Sequence, residues 1–206
     1  MSRPDPPPVV KRAAMWAGLS LNARQLSLLA DLANWLIEEA IPAGGLGPAE
    51  AGVIYPRHVA DSLLFASGWD DAARPPASLL DIGAGVGLPG LPLAIAWPSC
   101  QVLLLDRSSR RTDLARRAVR LLGLANVEVV TAQLREWRRP SEFIVCRAVR
   151  SPATLEGDFV PLLTAGGVAV VGGSTRRRLA VSGYRIQEVP ANIIGNRVWL
   201  LIMRGT

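Results

Sequence analysis

Alternating glycines follow a short apolar segment near the middle of the chain. The apolar residues at 78–80 lead into Asp-Ile-Gly-Ala-Gly-Val-Gly-Leu-Pro-Gly at 81–90, which contains Gly83, Gly85 and Gly87. Glycine at such positions allows a tight turn and leaves room for bare backbone to contact a ligand. The segment therefore predicts a strand that ends in a ligand-binding turn, with a helix beginning after it.

Two acidic residues indicate which nucleotide-like ligand this turn would take. Asp81 ends the predicted strand, where a carboxylate would repel a pyrophosphate but would suit a ligand that carries an ammonium and a sulfonium. Asp106 ends the next apolar run, about twenty residues later, and an acid there can accept hydrogen bonds from ribose hydroxyls. Although residues 85–90 satisfy the dinucleotide pattern G-x-G-x-x-G, the two acids favour S-adenosylmethionine (SAM) over NAD.

The composition limits the class of protein. The chain has 206 residues, of which 50% are hydrophobic, and its formal net charge is +6. This length fits one globular domain, and no apolar stretch approaches the roughly 20 residues that cross a bilayer. Two cysteines, Cys100 and Cys146, fit a reducing compartment, and the positive charge favours a polyanionic partner such as nucleic acid. We expect a soluble, cytoplasmic, monomeric protein with no membrane span and no metal site.

The chain divides into three parts. Residues 1–12 are proline-rich and polar, and they are predicted to be disordered. Residues 13–72 contain helical patterns at 22–40 and at about 56–67, which predict an N-terminal helical cap. Residues 73–206 are predicted to form one compact unit that carries the glycine segment.

Strands and helices alternate in the third part. Strands are predicted at 78–83, 101–106, 127–131, 142–147 and 167–172, and helices at 88–97, 109–123 and 152–164. This alternation predicts a parallel sheet that is covered on both faces. Two last apolar runs, Tyr184–Val189 and Val198–Met203, have a short link and predict an antiparallel hairpin. Such a seven-stranded α/β fold is typical of class I SAM-dependent methyltransferases.

Several motifs carry a resemblance to a known family. Arg57-His58-Val-Ala-Asp61-Ser62-Leu precedes the glycine segment, and Asn126-Val127 and Cys146-Arg147-Ala148 follow it in order. In this combination the chain closely resembles the RsmG (GidB) family of 16S ribosomal RNA guanine-N7 methyltransferases, over about residues 55–175. The resemblance implies SAM as the methyl donor, S-adenosylhomocysteine as the product and the small ribosomal subunit as the partner.

The resemblance also implies which residues bind the cofactor. The three glycines would wrap the methionine and ribose portions of SAM, and Leu88 would lie beside the cofactor at the end of the glycine turn. The turn after the third strand lies along the adenine in this family, a place that Leu134 and Arg135 take here. Asp106 is the candidate for the ribose, and its alternative role is to stabilise the start of the following helix.

Arg147 ends the fourth predicted strand, at the edge where ligands of open α/β sheets bind. We assign it a catalytic role, in which it faces either the cofactor carboxylate or an RNA phosphate. The adjacent Cys146 could be a covalent nucleophile, but a small residue that closes a buried strand is the favoured interpretation. Guanine N7 has a lone pair and no proton to lose, so that its methylation requires alignment and no general base.

Further residues are candidates for RNA contacts. His58, the single histidine, either contacts substrate or packs the cap onto the sheet. Arg176, Arg177 and Arg178 follow the fifth strand on the ligand side and are expected to bind RNA. The arginines at 107–120 are interpreted as a solvated outer face of a helix.

Three segments depart from the family pattern. Pro42–Tyr55 replaces an Asn-Leu-Thr element, Gly172-Gly173 replaces a Lys-Gly pair, and Gln133–Glu136 differs in the position of an acid. The cofactor motif is intact, whereas the parts that face the substrate have changed. A small-molecule methyltransferase and a SAM-binding, RNA-associated protein without activity therefore remain alternatives.

Overall fold

The computed structural model describes residues 6–147, 157–172 and 183–205, and seven strands in these ranges form one mixed sheet. The strands are β1 (Ser78–Ile82), β2 (Gln101–Asp106), β3 (Val127–Thr131), β4 (Ser141–Arg147), β5 (Leu163–Gly172), β6 (Arg185–Val189) and β7 (Val198–Arg204). Their order is β3-β2-β1-β4-β5-β7-β6. The first five are parallel, and β7 is antiparallel to both β5 and β6. The predicted α/β sheet with a final hairpin is therefore confirmed.

Helices cover the sheet and form the cap. They are α1 (Pro8–Trp16), α2 (Ala23–Trp35), α3 (Asp61–Leu64), α4 (Gly90–Ala96), α5 (Ser109–Leu122) and α6 (Ala191–Ile194). A π-helical turn at Leu36–Ala40 extends α2, and α3 lies between a π-helical segment at Ile54–Ala60 and a 3-10 turn at Phe65–Gly68. Further 3-10 turns lie at Pro48–Val53, Leu134–Glu136 and Val160–Leu162. No helix in the described ranges is long and apolar enough to cross a membrane.

The prediction for residues 152–164 is wrong at its carboxyl end. Residues 157–159 are helical, but β5 already begins at Leu163 and adds four residues before the predicted strand. The added residues include Gly166 in the left-handed region, at φ 72°, where the strand is irregular. Residues 152–156 lie outside the described residues.

The predicted disorder at 1–12 is also wrong for the residues that begin α1. Proline is favoured in the first turn of a helix because that turn needs no backbone N–H donor, and Pro8 occupies this position. Val10, Ala13 and Ala14 are buried on one face of α1, where they pack with the rest of the cap. Burial of this face therefore outweighs the proline-rich composition. Residues 1–5 lie outside the described residues.

Helix ends in the cap and core carry recognisable stop and start signals. Asn22 Oδ1 accepts a hydrogen bond from Gln25 N at 2.9 Å, and Gln25 Oε1 accepts one from Asn22 N at 2.8 Å. This reciprocal pair satisfies two donors at the start of α2. Ser108 caps the start of α5, and Gly123 ends it in the left-handed region. These signals agree with the predicted helix positions.

The sheet has a buried core on each face. Phe143 and Val145 of β4 point to the larger core, which includes the cap, α4 and α5, whereas Ile144 and Cys146 point to the smaller one. Phe143 also makes edge-on contacts with Trp69 and Trp97, with each pair of ring centroids 5.8 Å apart. The cap thus shares one continuous core with one face of the sheet, and this core fixes the position of the cap.

Candidate cofactor and substrate site

The glycine turn after β1 uses backbone conformations that favour glycine. Gly83, Gly85 and Gly87 have φ values of 70°, 59° and 101°. A Cβ atom on Gly87 would lie 2.4 Å from Leu91 Cδ1, so that this glycine permits the close start of α4. A Cβ on Gly85 would have its nearest heavy atom 3.9 Å away, on Arg111. The space in front of Gly85 is therefore open, as a ligand-binding turn requires.

Asp81 lies fully buried beneath this turn. Its Oδ2 atom accepts a hydrogen bond from Gly90 N at 2.7 Å, but Oδ1 has no partner in the described part of the chain. Burial raises the pKa of Asp81 to about 7, and the neighbouring Asp106 carboxylate adds to the rise while Gly90 and Arg147 oppose it. A buried, unsatisfied carboxylate oxygen is costly. It therefore indicates that a bound group supplies the missing donor.

Asp106, at the end of β2, accepts a hydrogen bond from the glycine turn. Its Oδ2 atom accepts from Gly85 N at 2.9 Å, and its Oδ1 atom accepts from Ser108 N at 2.8 Å. Arg111 Nη1 lies 3.5 Å from Oδ2. Asp106 thus serves the start of α5, which was its alternative role, while Oδ1 accepts one hydrogen bond from the described residues and can accept another from a ribose hydroxyl. The ribose contact stays a prediction.

Leu88, Leu134 and Arg135 occupy different surroundings. The Leu88 side chain is 5% exposed and packs in the larger core. Leu134 packs partly against the smaller core at the 3-10 turn after β3, and Arg135 is exposed with its Nε 3.7 Å from Glu136 Oε1. The turn lies at the carboxyl end of β3, beside β2. Contact of these three residues with the cofactor stays a prediction.

Arg147, at the carboxyl end of β4, contacts residues of the cap. Its Nη1 atom lies 3.2 Å from Asp61 Oδ2 and donates to the backbone oxygen of Arg57 at 3.3 Å. Burial raises the pKa of Asp61, and the Arg147 guanidinium lowers it in opposition. Sequence reasoning placed Arg147 at the reacting edge but missed Asp61 as its partner. The sequence feature that could have drawn attention to Asp61 is its position three residues after His58, which places both side chains on one helical face.

His58 is a buried residue of the cap that lies between Glu50 and Arg147. Its Nε2 atom lies 2.8 Å from Glu50 Oε2, and its Nδ1 atom lies 3.5 Å from Arg147 Nη2. Burial lowers the pKa of His58, and Arg147 adds to this, while Glu50 and Asp61 oppose it. The geometry favours packing of the cap over direct contact with RNA. Glu50 belongs to the segment Pro42–Tyr55, which departs from the family pattern, and sequence reasoning did not select it.

Packing explains two residues near the carboxyl ends of β4 and β5, Cys146 and Gly172. A Cβ on Gly172 would lie 2.9 Å from Phe65 Cζ and 3.4 Å from Arg147 Cγ, so that the glycine makes room for the stem of Arg147. Cys146 is fully buried in the smaller core, as the packing interpretation requires. Gly173 lies outside the described residues, as do Arg176, Arg177 and Arg178.

A basic groove lies between the cap and α5. Arg110, Arg117 and Asp113 line it together with Ala43, and its volume is about 380 Å³. Arg110 Nη2 donates a hydrogen bond to the backbone oxygen of Ala43, and Asp113 pairs with Arg116 at 2.8 Å. Arg110 is exposed, as the interpretation of these arginines as a solvated face predicts, although it also contacts the cap at Ala43. No pattern along the chain predicted that residue 43 would lie against this helix.

The candidate site fits a ligand that carries a cation and vicinal hydroxyl groups. Asp81, Asp106 and Arg147 come from adjacent parallel strands and meet at one sheet edge. The unsatisfied Asp81 oxygen suits an N–H donor, and Gly85, which has open space in front of it, donates its N–H to Asp106. Among the residues with described positions, no cluster of three metal-ligating side chains occurs.

Solved structures of known proteins share the fold. A mutant of MtNAS in complex with S-adenosylmethionine has a TM-score of 0.59 and 15% identity, and covers 96% of this chain and 77% of its own. The magnesium protoporphyrin IX methyltransferase of Synechocystis with bound SAM has a TM-score of 0.58 and 14% identity, and covers 91% and 99%. At these identities the likeness concerns the fold, which is that of class I methyltransferases.

Sequence relatives and a family model identify the family. The family model described as GidB, rRNA small subunit methyltransferase G, matches residues 25–178. Ribosomal RNA small subunit methyltransferase G of Mycobacterium marinum is 38% identical over 169 residues, which cover 80% of this chain and 68% of the relative. The protein of that name from Rubrobacter xylanophilus is 34% identical over 192 residues, which cover 88% and 69%. The chain therefore belongs to the family of ribosomal RNA small subunit methyltransferase G, which its motifs resemble.

Proposed function

We propose that this protein transfers the methyl group of SAM to N7 of a guanine in 16S ribosomal RNA. Its family is one of rRNA methyltransferases, which supplies the reaction class and the substrate class. The observation that carries the proposal is the buried Asp81 carboxylate at the glycine turn, with one oxygen left without a partner among the described side chains and backbone. This oxygen distinguishes a site for a cationic ligand from a glycine turn that only packs.

SAM is the ligand that best satisfies this site. Its ammonium would donate to Asp81 Oδ1, and a positive charge there would favour the ionised carboxylate over the protonated one. Its ribose would lie toward Asp106, and the open space at Gly85 would admit the cofactor against bare backbone. When bound, SAM supplies an electrophilic methyl group. NAD is disfavoured because its pyrophosphate would lie against two carboxylates.

Methylation of guanine N7 matches the residues at the sheet edge. The N7 lone pair attacks the methyl carbon directly and no proton has to leave, so that the enzyme has to align the two groups. Arg147 is a permanent cation and serves as an anchor for an RNA phosphate, not as a base. The His58 ring is buried and paired with Glu50. The site can therefore align the guanine with the methyl group, which is what methylation of N7 requires.

The charge distribution supports RNA as the substrate. The net charge is +6, and the groove between Ala43 and α5 presents Arg110 and Arg117 on the helix that begins beside Asp106. Arginine makes planar, paired contacts with phosphate groups. Together with the arginines at 176–178, these side chains would hold RNA around the sheet edge.

Two experiments with the purified full chain test this proposal. Titration calorimetry should show SAM binding in preference to NAD, and tritiated SAM should label small ribosomal subunits but not a mixture of cellular metabolites. Tight binding of NAD, or no binding of SAM, would contradict the cofactor assignment. Labelling of a small metabolite in place of RNA would establish a small-molecule methyltransferase. Binding of SAM and RNA without transfer would establish the protein without activity.

A further inference from the structure

Three acceptors of the cap face the guanidinium of Arg147. Asp61 Oδ2 and the backbone oxygen of Arg57 face Nη1 at 3.2 and 3.3 Å, and His58 Nδ1 faces Nη2 at 3.5 Å. A guanidinium has five N–H groups in a fixed plane, so that these acceptors set the direction of the remaining two. The His58 contact is at the outer limit of a hydrogen bond, and such contacts tighten when substrate binds.

Glu50 determines which nitrogen of His58 carries the proton. A carboxylate can only accept hydrogen bonds, and Glu50 Oε2 lies 2.8 Å from His58 Nε2, so that Nε2 is the protonated nitrogen. In a neutral ring Nδ1 then has a free lone pair, and this lone pair faces Arg147. Burial lowers the pKa of His58 and so favours the neutral ring. The opposite tautomer would direct an N–H group at a cation.

Among the described residues, the charged groups that contact His58 or its partners balance when its ring is neutral. Glu50 and Asp61 supply two negative charges, and Arg57 and Arg147 supply two positive ones. Arg57 Nη1 contacts the second Glu50 oxygen at 3.3 Å, so that one carboxylate serves both neighbours. A proton on Nδ1 would remove the acceptor and place a like charge beside Arg147.

We propose that Glu50 and His58 are positioning residues that hold Arg147 at the methyl-transfer edge through the Nε2-protonated form of His58. This inference rests on the proposed function, since Arg147 needs the RNA substrate to act upon. It also gives a role to the segment Pro42–Tyr55, which supplies Glu50 and so supports Arg147 from the cap. At acid pH, protonation of His58 at Nδ1 then removes an acceptor of Arg147 and repels its guanidinium, which lowers kcat.

Nuclear magnetic resonance tests the protonation state without any activity assay. The chain has one histidine, so that 15N-labelled histidine gives a spectrum that needs no assignment. At pH 7.5 the wild-type ring should show a protonated Nε2 and a bare Nδ1. The Glu50→Ala variant should keep a neutral ring, because Arg147 still faces Nδ1, but its Nε2 resonance should shift because the hydrogen bond to the carboxylate is lost. A cationic ring or the Nδ1-protonated tautomer in the wild type, or an unchanged Nε2 resonance in Glu50→Ala, would overturn the inference.

Two amide substitutions separate the two nitrogens of His58 in the activity assay. Asparagine can place an oxygen near the position of Nδ1, whereas glutamine reaches the position of Nε2. His58→Asn should keep kcat within about threefold of wild type and lose its decline at acid pH, whereas His58→Gln should lower kcat at least about tenfold with KM for SAM unchanged. Equal kinetics of the two variants, or an acid decline that persists in His58→Asn, would contradict the proposal.

Arg24→Gln is the matched control. It removes one positive charge from an exposed position of the cap on α2, and its kcat should stay near that of wild type. Circular dichroism and SAM binding verify that each variant is folded. If the wild type methylates no RNA, the proposed function fails, whereas the histidine spectrum still tests the tautomer. If the wild type is active and Arg24→Gln loses as much kcat as His58→Gln, the specific role of His58 fails.

Discussion

The carboxylate of Asp81 and the backbone of Gly90 lie in direct contact across the glycine turn. Asp81 Oδ2 accepts the Gly90 N–H at 2.7 Å, and a Cβ atom at position 90 would lie 2.8 Å from the same oxygen. The start of α4 thus covers one side of a buried acid and leaves Oδ1 on the other side. Because this oxygen has no partner among the described residues, the fold carries a cost there that a cationic ligand would offset.

Asp81→Asn is expected to stabilise the ligand-free protein and to weaken its binding of SAM. The folded-state pKa of Asp81 is raised to about 7, above its ordinary 3.8, so that its contribution to stability is present below pH 3.8 and is lost as the pH rises through 7. The variant should therefore exceed wild type by roughly 1–3 kcal/mol at pH 8, with a gap that narrows toward pH 5. Urea unfolding at both pH values measures this gap.

Titration calorimetry supplies the second half of this prediction. Wild-type affinity for SAM should fall as the pH decreases below about 7, because protonated Asp81 no longer attracts the ammonium. Asp81→Asn should bind SAM at least about tenfold more weakly at pH 8 and show a flatter pH profile. The exposed Asp113→Asn is the control and should change neither quantity. Unchanged SAM affinity in Asp81→Asn would refute the role of this carboxylate.

Gly85→Ala is expected to abolish tight SAM binding at a modest cost in stability. Its φ of 59° lies in the left-handed region, where a side chain costs about 1–2 kcal/mol, and its Cβ would enter the open space in front of the turn. Gly123→Ala matches this strain, with φ at 63° and no heavy atom within 4 Å, but it lies at the end of α5. Urea unfolding of the two variants measures the cost of the backbone strain that they share. Calorimetry measures the loss of SAM binding, which only a Cβ in the cofactor site should cause. Equal SAM affinities in both would contradict the location of the site.

Cys146→Ser should keep methyl transfer within about tenfold of wild type while lowering stability. The residue is fully buried in the smaller core, where a hydroxyl replaces a weakly polar thiol. Thermal unfolding measures the loss, and tritium transfer to small subunits measures activity. A folded Cys146→Ser variant without activity, together with a covalent protein–RNA adduct in the parent, would show that the cysteine is a nucleophile.

The joint replacement of Arg176, Arg177 and Arg178 by alanine should weaken RNA binding and reduce its dependence on salt. Each phosphate contact that is lost should lower the log–log slope by roughly 0.7–0.9, because fewer condensed counterions are released. SAM affinity should stay nearly unchanged. Arg120→Ala removes an exposed arginine near the end of α5 and serves as the control. An unaltered salt slope in the triple variant would place the RNA contacts elsewhere.

Local sequence patterns predicted the parts of this molecule that depend on neighbours in the chain. The alternation of apolar runs predicted the sheet, and the glycines with Asp81 and Asp106 predicted the edge where the candidate site lies. Contacts between distant segments could not be predicted in this way. Arg147 and Asp61 are 86 positions apart, and Arg110 meets residue 43 from 67 positions away. These pairs depend on how the cap lies over the sheet, which the shared core determines.

Detection of 7-methylguanosine in ribosomal RNA shows whether this protein methylates guanine N7. Small subunits that lack the modification are incubated with the purified protein and SAM, and the RNA is then digested and separated by mass spectrometry. We expect one new 7-methylguanosine in 16S RNA, which is lost with Gly85→Ala and retained with Gly123→Ala. Methylation of another atom or of no RNA at all, by a protein that binds SAM, would contradict it.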